Sequence, residues 1–275
     1  MDILSEIVAN KRKEVASNKE LYPTKLLEQS IYFEGQPVSL KKYLQRPDKS
    51  GIIAEIKRKS PSKGVINKHV SVERTSIGYM QAGASGLSVL TDNVYFGGSS
   101  EDLKVARSFN FCPILRKDFM IDEYQVVEAK SLGADVILLI AAVLDKQEIE
   151  KLGSLAQSLG MEVLLEVHNE EELNGSITDK VDLIGVNNRD LKTFETKVQT
   201  SKDLAEKIPT EFIKVSESGL SKPETVLELK EYGFEGFLIG ETFMQTGRPE
   251  KAAKEFIKRL YQLSPSPSLI REGNN

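Results

Sequence analysis

The stretch from Ser131 to Ile140, SLGADVILLI, joins the end of a predicted helix to a predicted strand through a glycine turn. A glycine after the last helical residue supplies the left-handed conformation that a tight helix-to-strand turn requires. The longest apolar run of the chain, Val136–Leu144, begins here; it is too short to span a membrane and is typical of a buried strand. The stretch therefore predicts a helix followed at once by a buried strand.

The same unit recurs along the chain, because predicted helices also end at Gly83, Gly160 and Gly233 and a strand follows each of them. Eight short apolar runs are predicted as strands: Ile52–Ile56, Leu87–Thr91, Pro113–Lys117, Val136–Ile140, Val163–Val167, Leu183–Asn187, Ile213–Ser216 and Phe237–Ile239. Segments with helical periodicity lie between and after them, several directly after a capping Ser, Asp or Asn. These segments are Glu101–Phe109, Tyr124–Leu132, Lys146–Leu159, Glu170–Leu173, Lys202–Ile208, Thr225–Tyr232 and Pro249–Leu263.

The alternation of strands and helices fits two folds, an open doubly wound sheet and a closed barrel. Eight units in about 250 residues is the size expected of the barrel. No Gly-x-Gly-x-x-Gly motif follows the first run, which disfavours a dinucleotide-binding sheet. We therefore predict an α/β fold, a (β/α)8 TIM barrel over residues 51–263.

Residues outside the barrel are predicted to form a helical extension and a tail. Helical patterns occur at Ile3–Val15, Lys25–Ser30 and Leu40–Leu44, with too little apolar surface for a separate core. We expect residues 1–50 to cap the barrel. Residues 264–275 are rich in Ser and Pro and are predicted to be a flexible tail.

Composition excludes several classes of function. Hydrophobic residues make up 40% and charged residues 28% of the chain, which indicates a folded enzyme rather than a disordered protein. The net charge of −4 is spread along the sequence, so we expect no nucleic-acid partner and no membrane association. Cys112 is predicted to be a small buried hydrophobe, and the separated His69 and His168 match no zinc spacing. We expect no metal and a cytoplasmic location.

Charged residues close several of the predicted strands, and in a parallel barrel these strand ends converge at one mouth. Glu55 and Lys57 end the first run on one face and could be only an ion pair. Lys117 with Phe119, Glu166, and Asn187 with Arg189 follow other runs, a repetition that packing alone does not explain. Carboxylates and ammonium groups in one partly dry cleft are suited to acid–base catalysis.

Small residues follow the last two strands and the first. Ser60–Gly64, Glu217-Ser218-Gly219 and Gly240-Glu241 lie where this fold commonly binds phosphate through backbone amides. A single glycine here is more often a turn than a ligand site. Together they predict a phosphorylated small-molecule substrate.

Six segments resemble indole-3-glycerol-phosphate synthase over nearly all of residues 1–263: 53–64 (IAEIKRKSPSKG), 90–99 (LTDNVYFGGS), 115–119 (LRKDF), 165–168 (LEVH), 187–191 (NNRDL) and 216–219 (SESG). The resemblance implies ring closure, decarboxylation and dehydration of 1-(2-carboxyphenylamino)-1-deoxyribulose 5-phosphate in tryptophan biosynthesis, without a cofactor. It also implies that Lys117 is the general acid and Glu166 the base for dehydration. Glu55 and Asn187 would orient the reacting groups, and Lys57 would face the departing carboxylate or act as a second acid.

The resemblance further implies a substrate-binding set. Phe96, Phe119 and Leu138 would enclose the anthranilate ring, with plain core packing as the alternative for Leu138. Ser60, Ser218, Gly219, Gly240 and Glu241 would lie at the phosphate, with helix capping as the alternative for Ser60 and only a backbone amide offered by Glu241. The remaining predicted contacts are Arg189, Glu217 and Leu238, and Arg189 could be structural only.

Two alternatives compete with this function. A phosphoribosylanthranilate isomerase would use a Cys/Asp pair, but Cys112 precedes a strand and thus lies at the wrong end of the barrel. A non-enzymatic phosphate-binding barrel would have no reason to retain every catalytic residue type. We expect a monomer, and association with other tryptophan-pathway enzymes stays open.

Overall fold

The computed structural model describes residues 3–264 and contains a closed barrel of eight parallel strands, as predicted. Each strand pairs with its sequence neighbours, and the first pairs with the last in the register Ile53 to Leu238. The strands are β1 Ile52–Ile56, β2 Gly86–Leu90, β3 Ile114–Lys117, β4 Val136–Ile140, β5 Glu162–Val167, β6 Leu183–Asn187, β7 Ile213–Glu217 and β8 Phe234–Ile239. A small antiparallel hairpin follows β1, in which the two-residue strands Lys59–Ser60 and Gly64–Val65 pair with each other.

Twelve helices surround the barrel or precede it within the described residues: α1 Ile3–Leu21, α2 Thr24–Leu27, α3 Leu40–Leu44, α4 Val72–Gln81, α5 Ser100–Phe109, α6 Glu123–Leu132, α7 Lys146–Ser158, α8 Glu170–Ser176, α9 Gln199–Ala205, α10 Pro223–Glu231, α11 Glu241–Met244 and α12 Pro249–Leu263. The sequence pattern predicted that a helix ends at Gly83, which lies just after the end of α4, but not where α4 begins, and it missed the short α11. The predicted helix Lys202–Ile208 begins three residues earlier, at Gln199. The predicted tail lies outside the described residues except for Ser264.

Alternation along the strands separates two apolar cores. Val136, Leu138 and Ile140 belong to the cluster inside the barrel. Ile137 and Leu139 belong to the cluster between the strands and the surrounding helices. The inward positions continue to the carboxyl end of each strand, so the last inward residue of each strand faces the barrel mouth.

Glycine turns close four of the helices, as the sequence predicted. Gly83, Gly133, Gly160 and Gly233 all have positive φ angles. At Gly133 the φ of 87° places the residue in the left-handed region, directly after α6. The repeated turn returns the chain to the start of the next strand.

The N-terminal extension contacts both ends of the barrel. Ile3, Leu4 and Ile7 of α1 line the cavity at the carboxyl ends of the strands. Leu40 of α3 instead joins the inner core, near Gly86 at the amino end of β2. The amide groups of Leu40 and Lys41 donate to the Glu162 carboxylate at 2.8 and 3.1 Å, which fixes α3 beneath the barrel.

Helix α4 packs closely against α12 at Gly78. A Cβ atom at this position would lie 2.3 Å from Cβ of Glu250, a contact that requires the helices to separate. We expect Gly78→Ala to lower the free energy of unfolding by about 1 to 3 kcal/mol. Each kcal/mol should lower the melting temperature by about 2 to 4 °C.

Gly175→Ala in α8 is the matched control for Gly78→Ala. No atom lies within 4 Å of the added Cβ there, so helix propensity should stabilise the protein by up to about 1 kcal/mol. Calorimetric melting of both variants distinguishes the effects. Equal melting temperatures for the two variants would contradict the close packing of α4 on α12.

Candidate active site

A single cavity at the carboxyl ends of the strands brings together all sixteen predicted site residues. They are Glu55, Lys57, Ser60, Phe96, Lys117, Phe119, Leu138, Glu166, Asn187, Arg189, Glu217, Ser218, Gly219, Leu238, Gly240 and Glu241. Eight strands arranged in a ring make this convergence possible for residues up to 186 positions apart (241 − 55).

Lys117 lies at the centre of the charged part of the cavity. Its Nζ donates to Oε2 of Glu166 at 2.8 Å and to Oε2 of Glu217 at 2.5 Å. Lys117 ends β3, whereas Glu166 lies on β5 and Glu217 ends β7. Alternate strands therefore place two carboxylates around one ammonium group.

Burial and mutual charge set the protonation of these three groups. Burial disfavours the Lys117 ammonium, but the charges of Glu166 and Glu217 raise its pKa above the ordinary lysine value. Burial likewise opposes ionisation of Glu166, yet Lys117 and His168 lower its pKa overall. Burial raises the pKa of Glu217, as do the charges of Glu166 and Glu55, while Lys117 lowers it. Together these effects bring the pKa of Glu217 to about 7.

The residues on either side of Lys117 are fixed by buried ion pairs on the outer face of β3. Arg116 donates to Oε2 of Glu128 at 2.6 Å, and Asp118 accepts from Lys11 of α1 at 2.9 Å. Both Arg116 and Asp118 are buried. The inward direction of Lys117 is therefore determined by its neighbours in sequence.

Two glycines make room for buried carboxylates. A Cβ at Gly185 would lie 2.4 Å from Oε1 of Glu217, and one at Gly240 would lie 2.5 Å from Oε1 of Glu55. The same Glu55 oxygen accepts from Nζ of Lys57 at 2.5 Å. The predicted ion pair is thus present, and it lies inside the cavity.

Asn187 orients Glu166 and the following loop. Its Nδ2 donates to Oε1 of Glu166 at 3.2 Å, and its Oδ1 accepts from the amide of Arg189 at 3.0 Å. The Arg189 guanidinium extends to the opposite end of the cavity, where Nη1 donates to Ser62 at 2.7 Å and Nη2 to Glu241 at 3.1 Å. Lys63 approaches the other Glu241 oxygen at 3.4 Å.

The loop after β7 has a constrained backbone at this end of the cavity. Ser218 and Gly219 both have positive φ, at 67° and 77°. Non-glycine residues rarely adopt this conformation, and such strain is concentrated at functional sites. Ser60 caps no helix; its hydroxyl instead accepts from the amide of Lys63 in the turn of the small hairpin.

The cavity also has an apolar side. The rings of Phe96 and Phe119 lie 6.0 Å apart between centroids, at an interplanar angle of 39°. Leu138 lines the cavity and also belongs to the inner core, and its contact with the anthranilate ring stays a prediction. At this separation the two rings contact each other, and together they form an apolar surface against which a flat ring can pack.

Residues 4–256 match the family model described as indole-3-glycerol phosphate synthase. The chain belongs to this family. A protein of that name from Bacteroides thetaiotaomicron is 49% identical over 259 residues, covering 94% of this chain and 99% of that protein. Another, from Dechloromonas aromatica, is 43% identical and covers 90% of this chain and 96% of that protein.

A solved structure titled "Native KDPGal structure" is similar in fold to this indole-3-glycerol phosphate synthase family member. The TM-score is 0.54 at 13% sequence identity, covering 79% of this chain and 94% of that chain. Identity at this level shows the barrel fold alone.

Two features of this family member are not evident from its sequence. They are the residues of α1 that enclose the cavity and the buried Lys11, which anchors α1. Nζ of Lys11 lies 3.0 Å from Asp92 and 2.9 Å from Asp118, with only 1% of its side chain exposed. A lysine within an amphipathic helix gives no sign of such a contact, because its partners lie more than 80 residues away. Among residues 3–264, no helix is long and apolar enough to cross a membrane.

The Lys11 ion pairs predict a strong effect of substitution on stability. Lys11→Met leaves Asp92 and Asp118 buried without this cation, which should cost about 3 to 5 kcal/mol and release α1 to proteolysis. Lys19→Met is the matched control, since Lys19 also lies on α1 but forms a half-exposed pair, with Asp122 at the start of α6. It should change stability by about 1 kcal/mol or less. Similar melting and digestion of both variants would show that Lys11 does not anchor α1.

Proposed function

We propose that the chain performs the reaction of its family with Lys117 as the general acid and Glu166 as the base for dehydration. The observation that carries this assignment is the ammonium group of Lys117 held between Glu166 and Glu217 inside the substrate-sized cavity. The chain is a carboxy-lyase of tryptophan biosynthesis that converts 1-(2-carboxyphenylamino)-1-deoxyribulose 5-phosphate to indole-3-glycerol phosphate.

The reaction needs acid before it needs base. The ring carbon that carries the carboxylate attacks the substrate carbonyl, whose oxygen takes a proton. Carbon dioxide then leaves, a second proton, supplied by solvent, lets the new hydroxyl depart as water, and a proton is removed from the substrate. One proton is taken up overall, because an anionic carboxylate leaves as neutral carbon dioxide.

Lys117 is suited to the first step despite its raised pKa. The developing alkoxide is about as basic as hydroxide, so an ammonium group can protonate it. The buried positive charge also stabilises the oxygen as its charge develops. Glu166 and Glu217 keep Lys117 charged until that step.

Glu166 becomes a better base once Lys117 has given up its proton. The ammonium group is a major cause of the low pKa of Glu166, after the opposing effect of burial. Loss of this charge leaves a buried carboxylate beside a neutral amine, where its proton affinity is higher. At 2.8 Å, Glu166 then returns its proton to Lys117 after dehydration.

Glu55 and Lys57 are proposed to act on the departing carboxylate. Nζ of Lys57 lies 2.5 Å from Glu55 and lines the cavity, with 15% of its side chain exposed. We assign Lys57 to the substrate carboxylate, with Glu55 positioning it, and we assign the leading acid role to Lys117.

Substrate orientation follows from the two ends of the cavity. The aromatic ring of the substrate would pack against Phe96 and Phe119, beside Leu138 and Leu238. The phosphate would lie at the loops after β7 and β8, near Ser60 and Gly219, where the Arg189 guanidinium supplies positive charge. We infer that the N-terminal extension caps the barrel mouth through α1, which contributes part of the cavity wall, whereas α3 lies beneath the barrel.

We further propose that the enzyme works as a monomer in the cytoplasm. All sixteen site residues come from one chain, so the cavity needs no residue from a second subunit. Association with other enzymes of the pathway stays open.

The acid assignment predicts the behaviour of two variants. Lys117→Met and Glu166→Gln should each reduce kcat by about a thousandfold or more while leaving the fold intact, since acid–base groups contribute about 10²- to 10⁴-fold. Indole fluorescence on addition of the carboxyphenylamino-deoxyribulose phosphate measures product. Circular dichroism of each variant shows whether the barrel is folded.

Lys104→Met is the matched control for Lys117→Met, because Lys104 is an exposed lysine of α5 that pairs only loosely with Glu101. It should keep the activity of the unchanged protein. Equal activity of Lys117→Met would disprove the acid assignment. A folded, unchanged protein that forms no product would disprove the function itself.

The pairing of Glu241 predicts the effect of its substitution on phosphate binding. Its carboxylate forms ion pairs with Arg189 and Lys63, so a phosphate group must compete with this carboxylate for the two cations. Glu241→Gln should strengthen inhibition by inorganic phosphate about tenfold, whereas Lys63→Gln should weaken it. Competition assays measure both. Weaker inhibition in Glu241→Gln would show that the carboxylate instead holds Arg189 in its binding position.

A further inference from the structure

His168 is a buried titratable residue beside the active site to which the proposed mechanism gives no role. It directly follows β5 and lies two residues after Glu166, so strand alternation places both residues on the same face. Only 9% of its side chain is exposed, although it does not line the substrate cavity. It is therefore close to the proposed base without contacting the substrate site.

Glu172 fixes the orientation of the His168 ring. Oε2 of Glu172 lies 3.0 Å from Nδ1 of His168 and also accepts the His168 backbone amide at 2.8 Å. The other Glu172 oxygen accepts from Nδ2 of Asn169 at 2.9 Å. Asn169 is in turn the N-cap of α8, where its side chain accepts from the Glu172 amide. The carboxylate that holds the ring is thus itself held at both oxygens.

The second ring nitrogen is directed at Glu166. Nε2 of His168 lies 3.5 Å from Oε1 of Glu166 and has no hydrogen-bond partner within residues 3–264. A movement of about half an ångström would bring this pair to ordinary hydrogen-bond distance. A buried nitrogen left without a partner is costly, so this short approach is favoured.

The charges around His168 favour its protonated form. Glu166 on β5, Glu172 on α8 and Glu217 on β7 all act on the ring, and the Lys117 ammonium lies beyond Glu166. Burial opposes the charge, but the hydrogen bond to Glu172 and the three carboxylates together raise the pKa of His168 above its ordinary value. The ring therefore keeps a proton on both nitrogens to a higher pH than an ordinary histidine does.

We propose that His168 is a positioning residue for the reaction: anchored by Glu172, its imidazolium keeps the Glu166 carboxylate ionised and correctly oriented. The inference rests on the proposed role of Glu166 as the base. Glu166 would otherwise face the negative charge of Glu217 with only Lys117 to balance it, and Lys117 loses its charge during the reaction. The imidazolium supplies a second positive charge, next to the opposite oxygen, that remains when Lys117 gives up its proton.

Nuclear magnetic resonance of the full chain tests the charge of His168 directly. His69 and His168 are the two histidines of the sequence, so ¹⁵N-labelled histidine gives two sets of signals, and His69→Gln assigns them. We expect the midpoint of His168 to lie above the ordinary value of about 6.5. Glu172→Gln and Glu166→Gln should each lower it, by about one pH unit for Glu172→Gln. Glu171→Gln, an exposed glutamate in the same turn of α8, should leave it unchanged.

The pH dependence of kcat tests the function of that charge. Because the proposed role needs the imidazolium, kcat should be at its full value below the titration midpoint of His168. It should fall as the pH rises through that midpoint. His168→Gln should lower kcat about tenfold and abolish this alkaline limb. Glu172→Gln should move the limb to lower pH by the shift seen in the titration. A purely structural role for His168 would lower kcat without moving the limb.

The possible failures are distinguishable. A His168 ring that stays neutral between about pH 6 and pH 8, or a midpoint that Glu166→Gln leaves unchanged, would overturn this proposal and leave the proposed function standing. Full activity of Glu166→Gln would instead remove Glu166 from the mechanism, whatever the charge of His168.

Discussion

The site depends on one interaction, the ammonium group of Lys117 held between the carboxylates of Glu166 and Glu217. Three charges buried together are costly unless each finds partners at short distance. Here the distances from Nζ are 2.8 and 2.5 Å, and the three residues come from alternate strands of the barrel. The closed sheet is what makes this possible, since it fixes strand ends that are distant in sequence within a few ångströms of one another.

The surrounding structure supports that interaction from both sides of β3. On the inner side, Gly185 leaves the space that the Glu217 carboxylate occupies. On the outer side, Asp118 pairs with Lys11 of α1, so the helix that helps to enclose the cavity is also connected to the strand that carries Lys117. Because Asp118 directly follows Lys117 in sequence, the same contact stabilises α1 and helps to orient the proposed acid.

The sequence was sufficient for the barrel and for the composition of the cavity, because both depend on short-range regularities: apolar runs, glycine turns and the polar residues that end strands. It was insufficient for the extent of α4, whose Gly78 and β-branched residues weaken the helical pattern while packing on α12 stabilises the helix. It also missed the partners of Lys11, His168 and Glu241. Those contacts depend on side-chain positions in three dimensions, which residue type and spacing do not determine.

The most direct test of this account is the protonation state of Lys117. Carbon-13 resonance of its side-chain Cε, assigned by loss of the signal in Lys117→Arg, reports whether the group is an ammonium or an amine. We expect an ammonium group at every pH at which the protein stays folded, and a lower titration midpoint in Glu217→Gln. A Lys117 that titrates below the ordinary lysine value of about 10.4 would contradict the account.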